Sequence, residues 1–183
     1  MKQIINSIHH LKDGDTILYP TDTVWGVGCD ACNFEAVAKV FQLKKRAESK
    51  SLIVLVSSIS MLKKHVTVPQ SVIELLKKSK KPTTIIYENP KGFAKNAIAS
   101  DGTIAIRVVK DAFCRKLIKR FQKPIISTSA NVSGAATPKS FQEISQPILE
   151  GVDYIVNLHQ NRTDAKPSTI LKVVGSEVQV LRA

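Results

Sequence analysis

The sequence predicts a single α/β domain built on a mixed β-sheet. Two observations favour this fold class. β-prone apolar runs alternate with helical patterns early in the chain, and the last two runs follow each other directly across a short turn. Alternation favours parallel crossovers, whereas the final pair favours an antiparallel hairpin. The 183 residues, 43% of them hydrophobic, suffice for one domain over residues 1–183 with a substantial core.

The amino-terminal region predicts a helix, a strand and a polar loop. A helix over the first dozen residues carries an apolar stripe, formed by Ile4, Ile5, Ile8 and Leu11. A strand over residues 16–19 stops at Pro20, which fixes φ and donates no hydrogen bond. The loop predicted over residues 20–29 carries hydroxyl groups and two glycines at a strand exit, where open α/β sheets bind their ligands.

A second helix with a basic end follows this loop. Asn33 is suited to cap it, and its predicted buried face consists of Phe34, Val37, Ala38 and Phe41. Lys44, Lys45 and Arg46 occupy the predicted last turn, before a buried strand at 52–56. These cations are either a solvated helix end or, beside the Thr/Gly loop, part of a site for an anionic ligand.

The remaining patterns complete the mixed sheet. Helices are predicted around 61–64, after Pro69, over 112–121 and over 141–149, and strands over 83–87, 103–109, 124–126 and 154–157. The terminal hairpin pairs 168–174 with 178–181, after a polar loop at 161–167. Residues 127–134 form a second strand exit that is rich in hydroxyls.

Arg107 lies within one of these strands. The alternation of Ile104, Ile106 and Val108 directs Arg107 to the opposite face. It is either a surface residue or a side chain that reaches into a site to bind a carboxylate with its bidentate fork.

The charge favours polyanionic partners. Lys and Arg outnumber Asp and Glu by 27 to 15, for a net charge of +12, which suits nucleoside triphosphates or RNA. Sequence-specific readout of single-stranded RNA is not supported, because no basic segment is rich in aromatic residues. The densest basic patch consists of Lys63, Lys64, Lys77, Lys78, Lys80 and Lys81, and is the candidate RNA contact.

Several other site classes are not indicated. Cys29, Cys32 and Cys114 are too few for a zinc site and are interpreted as small buried residues. No P-loop or G-x-G-x-x-G motif occurs. The absence of a run of about 20 apolar residues and of a signal peptide predicts a cytoplasmic protein without membrane contact.

Five motifs in order resemble a known family. They are the segments at 19–28, Lys44-x-Arg46, Ser127-Thr128-Ser129-Ala130-Asn131 with Ser133-Gly134, Pro167-Ser168-Thr169-Ile170, and Leu181-Arg182. Together they resemble the YrdC-like family of threonylcarbamoyl-adenylate synthases, in its single-domain form. The resemblance implies an open twisted mixed sheet, flanked by helices, around a concave basic cavity.

The resemblance also implies a reaction. L-threonine, bicarbonate and ATP would give threonylcarbamoyl-adenylate and pyrophosphate, a nucleotidyltransferase step toward threonylcarbamoyladenosine in tRNA. Threonine or its carbamate would be held by Thr21, Arg107, Ser127 and Ser168. The nucleotide would be held by Lys44, Arg46, Ser129, Asn131, Thr137 and Arg182.

The carbamate is itself the nucleophile, so the protein need supply only position and positive charge, with Lys44 and Arg46 in the catalytic role. Mg²⁺ would be bound mainly through the ATP phosphates, without a protein metal site. Partners would be the three substrates, tRNA or double-stranded RNA, and downstream tRNA threonylcarbamoyl-transferase proteins. The alternatives are a module that binds double-stranded RNA or tRNA, and a related branch of the family without this activity.

Some positions depart from the family pattern. Ala47 and Ser51 stand where proline is common, Lys80-Lys81 precede Pro82 in place of Pro-Gly, and Ile98 stands where a threonine-bearing turn is common. These differences concern local loop shape more than the charge pattern.

Overall fold

The computed structural model describes residues 1–47, 52–161, 168–175 and 177–182. The helices are α1 Lys2–Lys12, α2 Phe34–Leu43, α3 Ile59–His65, α4 Gln70–Lys78, α5 Ala112–Phe121 and α6 Gln146–Gly151. The strands are β1 Ile17–Tyr19, β2 Gly26–Gly28, β3 Ile53–Val56, β4 Thr83–Glu88, β5 Thr103–Val108, β6 Ile125–Ser129, β7 Tyr154–Ile155, β8 Thr169–Val174 and β9 Glu177–Arg182.

All nine strands form one mixed sheet in the order β7-β1-β2-β6-β3-β5-β4-β8-β9. The pairs β1/β7, β3/β5 and β4/β8 are parallel. The neighbours β1/β2, β2/β6, β3/β6, β4/β5 and β8/β9 are antiparallel. The predicted mixed α/β sheet with a terminal hairpin is therefore confirmed.

The two faces of the sheet carry separate hydrophobic cores. Along β3, Val54 and Val56 belong to a large core that includes side chains of α2, α3, α4 and α6. Leu55 points the other way, into a smaller core with α1 and α5. This division follows from the alternation of side chains along a strand.

The second face is only partly covered by helices. On β6, Ile125 lies in the α1/α5 core, whereas Ser127 and Ser129, two and four residues further on, border a cavity. Likewise Ile53, two residues before Leu55 on β3, is partly buried and also borders the cavity. We call these regions the helix-covered half and the open half of this face.

The loop predicted over residues 20–29 contains a strand, so that prediction was wrong in part. β2 lies between β1 and β6 and is antiparallel to both. Its glycines permit the close approach: a Cβ on Gly28 would lie 1.9 Å from the carbonyl oxygen of Ile126 and 2.9 Å from the ring of Tyr19. In the sequence these glycines indicate a loop. In the structure they belong to a strand and make room for its neighbour.

The second strand exit also differs from the prediction. Ser127, Thr128 and Ser129 belong to β6 itself, rather than to a loop after it. These three residues carry hydroxyl groups within a strand because this end of β6 borders the cavity in place of a helix.

Two helices differ in detail. The Asn33 cap is confirmed, because its Oδ1 accepts a hydrogen bond of 3.1 Å from the Ala36 amide. The buried face of α2 is Ala36, Val37, Val40 and Phe41, whereas Phe34, in the first turn, is 49% exposed. The helix predicted over 141–149 is a 3₁₀ turn followed by α6, which begins at Gln146 and has Pro147 in its first turn. Ser51 and most of the predicted loop at 161–167 lie outside the described residues.

Candidate active site

The open half of the sheet forms the floor of a cavity of about 560 Å³. Its apolar floor consists of Ile53, Ile86, Ala105 and Ile170, from four different strands. In the strand register Ala105 lies opposite both Ile53 and Ile86, so these side chains share one face. The rim is polar and includes hydroxyl groups from β6 and from the loop before β2.

The charge of the cavity lining is entirely positive among the described residues. Arg46, Arg107, Lys139 and Arg182 line it, and no Asp or Glu does. An arrangement of cations around an apolar floor suits a ligand with both an anionic part and an apolar part. The concave basic cavity expected from the sequence is therefore present.

Arg107 is the most buried of these cations, at 3% exposure. Its terminal nitrogen lies 3.2 Å from Asp22 Oδ1 and donates to Thr23 Oγ1 at 3.3 Å. Asp22 is held in turn by the Lys110 amide, which donates to Oδ2 at 3.1 Å. The Arg107 Nε is buried and has no hydrogen-bond partner among the described residues. Of the two alternatives that the sequence left open, the surface residue is excluded, because Arg107 is buried in the cavity wall; its binding of a carboxylate stays a prediction.

Thr21 does not line the cavity, and Thr23 does. The Thr21 hydroxyl is buried, donates to the carbonyl of Val24 at 2.8 Å and lies 2.9 Å from Thr23 Oγ1. It also accepts a 3.0 Å hydrogen bond from the Thr23 amide. Thr21 therefore fixes the loop, and Thr23 presents its hydroxyl beside Arg107. Sequence reasoning missed Thr23, although its i, i+2 spacing from Thr21 was a usable signal.

Ser127 and Ser168 both line the cavity. Ser168 is 3% exposed, and its hydroxyl lies 2.9 Å from Thr84 Oγ1. Its carbonyl accepts two hydrogen bonds from Arg182, at 3.2 Å from Nε and 2.7 Å from the terminal nitrogen. Ser168, the residue before β8, thus fixes the side chain of Arg182 on β9, which also lines the cavity.

Lys44 lies behind the cavity lining, at the end of α2. Its side chain is 1% exposed, and Nζ donates to the carbonyls of Ser129 and Asn131. Its own carbonyl accepts a 2.8 Å hydrogen bond from the Ser133 amide. Burial, and secondarily the charge of Arg46, lowers the pKa of Lys44 to about 8. In this structure Lys44 fixes the segment after β6.

The other residues predicted to bind nucleotide are divided between the lining and the loop behind it. Arg46, Ser129 and Thr137 line the cavity. Asn131 does not: its Nδ2 donates to the carbonyls of Val132, at 3.1 Å, and Ala135, at 2.8 Å. Sequence reasoning missed Lys139, because a single lysine in a polar segment carries no pattern.

The interpretation of the cysteines as small buried residues is confirmed for Cys29 and Cys114, whereas Cys32 is only half-buried. Cys29 and Cys114 are buried, and burial raises the pKa of both thiols. Burial likewise raises the pKa of the half-buried Cys32 to about 11. Thiols with raised pKa values are poor nucleophiles at neutral pH.

The described residues contain neither a cluster of metal ligands nor a helix that could span a membrane. Within residues 1–47, 52–161, 168–175 and 177–182, no three His, Cys, Asp or Glu side chains are grouped as metal ligands would be. None of the helices in the same ranges has the length and apolarity needed to cross a bilayer.

Comparison with known proteins identifies relatives along the whole chain. The Sua5/YciO/YrdC family model, described as telomere recombination, matches residues 9–183. A protein of Pseudoalteromonas translucida named threonylcarbamoyl-AMP synthase is 33% identical over 181 residues, 96% of this chain and 95% of its own length. One from Aliivibrio fischeri with the same name is 33% identical over 183 residues, 94% of this chain and 99% of its own length.

Solved structures share the fold. The P. abyssi Sua5 structure in complex with L-threonine superposes with a TM-score of 0.86 at 23% identity over 98% of this chain. The chain spans 53% of that Sua5 chain, about half of its length.

Proposed function

The chain belongs to the Sua5/YciO/YrdC family, and from this premise we propose that it is a threonylcarbamoyl-AMP synthase. L-threonine, bicarbonate and ATP are converted into threonylcarbamoyl-adenylate and pyrophosphate, which makes the enzyme a nucleotidyltransferase. One structural observation carries the proposal: Arg107 is buried, is anchored by Asp22, and lines a cavity that has no carboxylate among the described residues. Such a group suits a small carboxylate ligand.

The threonine moiety is proposed to lie beside Arg107. Its carboxylate accepts hydrogen bonds from the guanidinium, and the hydroxyls of Ser127 and Thr23 are available to its polar groups. Ser168, whose own hydroxyl lies 2.9 Å from that of Thr84, supports this end of the site. Thr21 acts through Thr23, as a positioning residue, because its hydroxyl is engaged within the loop.

The nucleotide is proposed to occupy the rest of the cavity. Arg46, Arg182 and Lys139 provide the positive charge for the triphosphate, with hydroxyls of Ser129 and Thr137 beside them. The adenine ring would pack on the apolar floor. Lys44 and Asn131 shape the segment after β6 that borders this region, and direct contact of either with ATP stays a prediction.

The chemistry follows from these positions. The amine of threonine and bicarbonate condense to the carbamate with loss of water. A carbamate oxygen then attacks the α-phosphorus, the bond from the α-phosphorus to the oxygen that bridges it to the β-phosphorus breaks, and pyrophosphate leaves. The chain needs no covalent residue. It holds the two substrates in line and balances the charge that develops on the phosphates, with Arg46 as the main contributor.

Mg²⁺ is expected to accompany ATP and to share the charge of its phosphates. The described lining residues offer hydroxyls and cations but no carboxylate, so they do not fit a dedicated magnesium site. The phosphates themselves are therefore the expected magnesium ligands. Downstream, we propose that a separate tRNA threonylcarbamoyl-transferase protein consumes the adenylate.

Pyrophosphate release from ATP tests the proposal. Release should depend on both L-threonine and bicarbonate. Arg107→Ala should lower kcat/KM for threonine on the order of 100-fold or more, because a charge-assisted bidentate contact is lost. Arg115→Ala, on the exposed face of α5, is the matched control and should leave release unchanged.

No release from folded protein would overturn the synthase proposal and favour a family member with the fold but without this activity. Release that does not depend on threonine would instead overturn the assignment of Arg107. The alternative of a module that only binds RNA is not favoured, because it leaves the anchored arginine and the carboxylate-free lining unexplained.

A further inference from the structure

Thr84 is a fully buried polar residue next to the cavity wall. It lies on β4 and does not itself line the cavity. In the strand register it lies opposite Arg107 on β5 and opposite Ile170 on β8, and both of these residues line the cavity. A buried hydroxyl is costly unless it forms a hydrogen bond. Within the part of the chain that the structure describes, the Thr84 hydroxyl has one partner, the hydroxyl of Ser168 at 2.9 Å.

The main chain of Ser168 is fixed independently of this pair. Its carbonyl accepts two hydrogen bonds from Arg182. The amide of the next residue, Thr169, donates to the carbonyl of Pro82 at 3.1 Å. With the main chain held on both sides, the direction of the Ser168 hydroxyl is the property that Thr84 can still set.

A β-bulge brings Arg182 to the carbonyl that it holds. Ile170 lies opposite Arg182 and Leu171 lies opposite Val180, so Leu181 is an extra residue on β9. Side chains alternate along a strand, so a regular register would place Leu181 opposite Ile170 and turn Arg182 to the other face of the sheet. The bulge therefore keeps the arginine on the cavity face.

We propose that Thr84 is a positioning residue for the threonine end of the site. Its hydroxyl donates to the Ser168 oxygen, and the Ser168 hydroxyl in turn donates to the carboxylate of bound L-threonine. Ser168 lines the cavity and is placed to contact the ligand, whereas Thr84 acts only through Ser168. This inference rests on the proposed function, because that function supplies the carboxylate.

The chemistry of the two hydroxyls decides the direction of the hydrogen bond between them. Each hydroxyl has one proton to donate, and its oxygen also accepts, whereas an ionised carboxylate only accepts. A Ser168 hydroxyl that donates to the ligand is therefore free to accept from Thr84. Hydrogen bonds in such a chain polarise one another, which strengthens the bond to the charged group.

Three single variants test the proposal. Thr84→Val removes the hydroxyl at nearly constant shape, and Thr84→Ser keeps it. The control is Thr83→Val, at a buried residue on the opposite face of β4. The Thr83 hydroxyl lies 2.9 Å from Ser79 Oγ and donates to the carbonyl of Lys81 at 3.1 Å, outside the cavity lining. Urea unfolding compares their stabilities, and pyrophosphate release is measured with L-threonine and ATP varied separately.

Thr84→Val should raise the KM for L-threonine about five- to tenfold, the effect of about one hydrogen bond. Its kcat and its KM for ATP should stay within about twofold, because a contact that is equally strong in the ground and transition states changes KM alone. Thr84→Ser should restore the KM for threonine. Thr83→Val should lose a comparable amount of stability but keep all three kinetic constants within about twofold, because its hydroxyl is bound in a turn away from the site.

A double variant separates the hydroxyl pair from a general packing effect. Once Ser168→Ala has removed the acceptor, adding Thr84→Val should change the KM for threonine by less than about twofold. A full further increase would overturn the proposal. So would an unchanged KM for threonine in Thr84→Val, an equal increase for ATP, or the same increase in Thr83→Val. Wild-type protein without threonine-dependent release would instead overturn the proposed function, and this inference with it.

Discussion

The helix-covered half and the open half of one sheet face are built from the same strands, but one half is a hydrophobic core and the other is the floor of a cavity. On β6, Ile125 is buried under α5, and Ser127 lines the cavity two residues later. On β3, Leu55 and Ile53 differ in the same way, and Ile53 lies opposite Ser127. The alternation of side chains is identical in both halves. What differs is whether a helix covers the strand, which shows that a hydrophobic core and a cavity arise here from one regular sheet.

The largest expected effect of a substitution lies in the helix-covered half, at Gly28. A Cβ there would lie 1.9 Å from a backbone oxygen of β6, which cannot move without breaking the sheet. We expect Gly28→Ala to cost more than about 4 kcal/mol of unfolding free energy, so that little folded protein accumulates. Soluble yield and urea unfolding measure this. A variant as stable as wild type would contradict the close approach of β2 and β6.

The next effect separates stability from activity along β3. Leu55→Ala should cost about 2–5 kcal/mol, because Leu55 is fully buried in the α1/α5 core. Its folded fraction should keep wild-type KM values. Ile53→Ala should cost less, and should raise the KM for ATP severalfold because Ile53 forms part of the cavity floor. Urea unfolding and steady-state kinetics test the pair, and a reversed pattern would refute the division of the face.

Two buried titratable groups, Lys44 behind the cavity lining and Tyr19 in the helix-covered half, should give opposite pH dependences of the unfolding free energy. Lys44, whose pKa is lowered to about 8, binds fewer protons folded than unfolded between pH 8 and about 10.5. Its burial penalty is therefore present below pH 8 and is relieved as the pH rises, by up to about 3 kcal/mol at 1.36 kcal/mol per pKa unit. The wild type should gain stability over this range relative to Lys44→Met in urea unfolding. Parallel profiles would show that Lys44 stays charged.

Tyr19 provides the counterpart in the helix-covered half. Burial raises its pKa well above the ordinary value, so stability present below pH 10 is lost as the unfolded state ionises above it. Tyr19→Phe should remove that loss, at the cost of its 2.8 Å hydrogen bond to Ile126, about 1 kcal/mol. An unchanged alkaline slope would contradict its burial.

The smallest expected stability effect is in the open half, at Gly26. A Cβ there would meet the movable hydroxyl of Ser127 at 3.0 Å and Thr21 Cγ2 at 3.4 Å. Gly26→Ala should therefore cost less than about 1 kcal/mol, in contrast with Gly28→Ala on the same strand. Because the methyl group enters the cavity beside Ser127, the KM for threonine should rise severalfold. Kinetics with threonine and ATP varied separately check this, and an increase confined to ATP would contradict the proposed position of threonine.

Local patterns predicted most elements and the chemistry of the site. The alternation around Arg107 assigned its face, and α5 has the predicted bounds, 112–121. The loop at 20–29 was mispredicted in part because glycine indicates a turn locally. Here the glycines belong to β2 and make room for the neighbouring strand β6. Burial of Lys44 was not predictable, because the carbonyls of Ser129 and Asn131 that receive its ammonium lie more than 80 residues away.

By itself, the sequence determined the fold class, the order of most elements, the family and the basic character of the site, because these depend on periodicity, composition and short motifs. The tertiary structure decided which half of the sheet stays uncovered, which hydroxyl lines the cavity, and which cations face a ligand. These properties depend on where α1 and α5 end on the sheet and on contacts between distant segments. No local pattern encodes them, because the same alternating strand is compatible with a helix or a cavity above it.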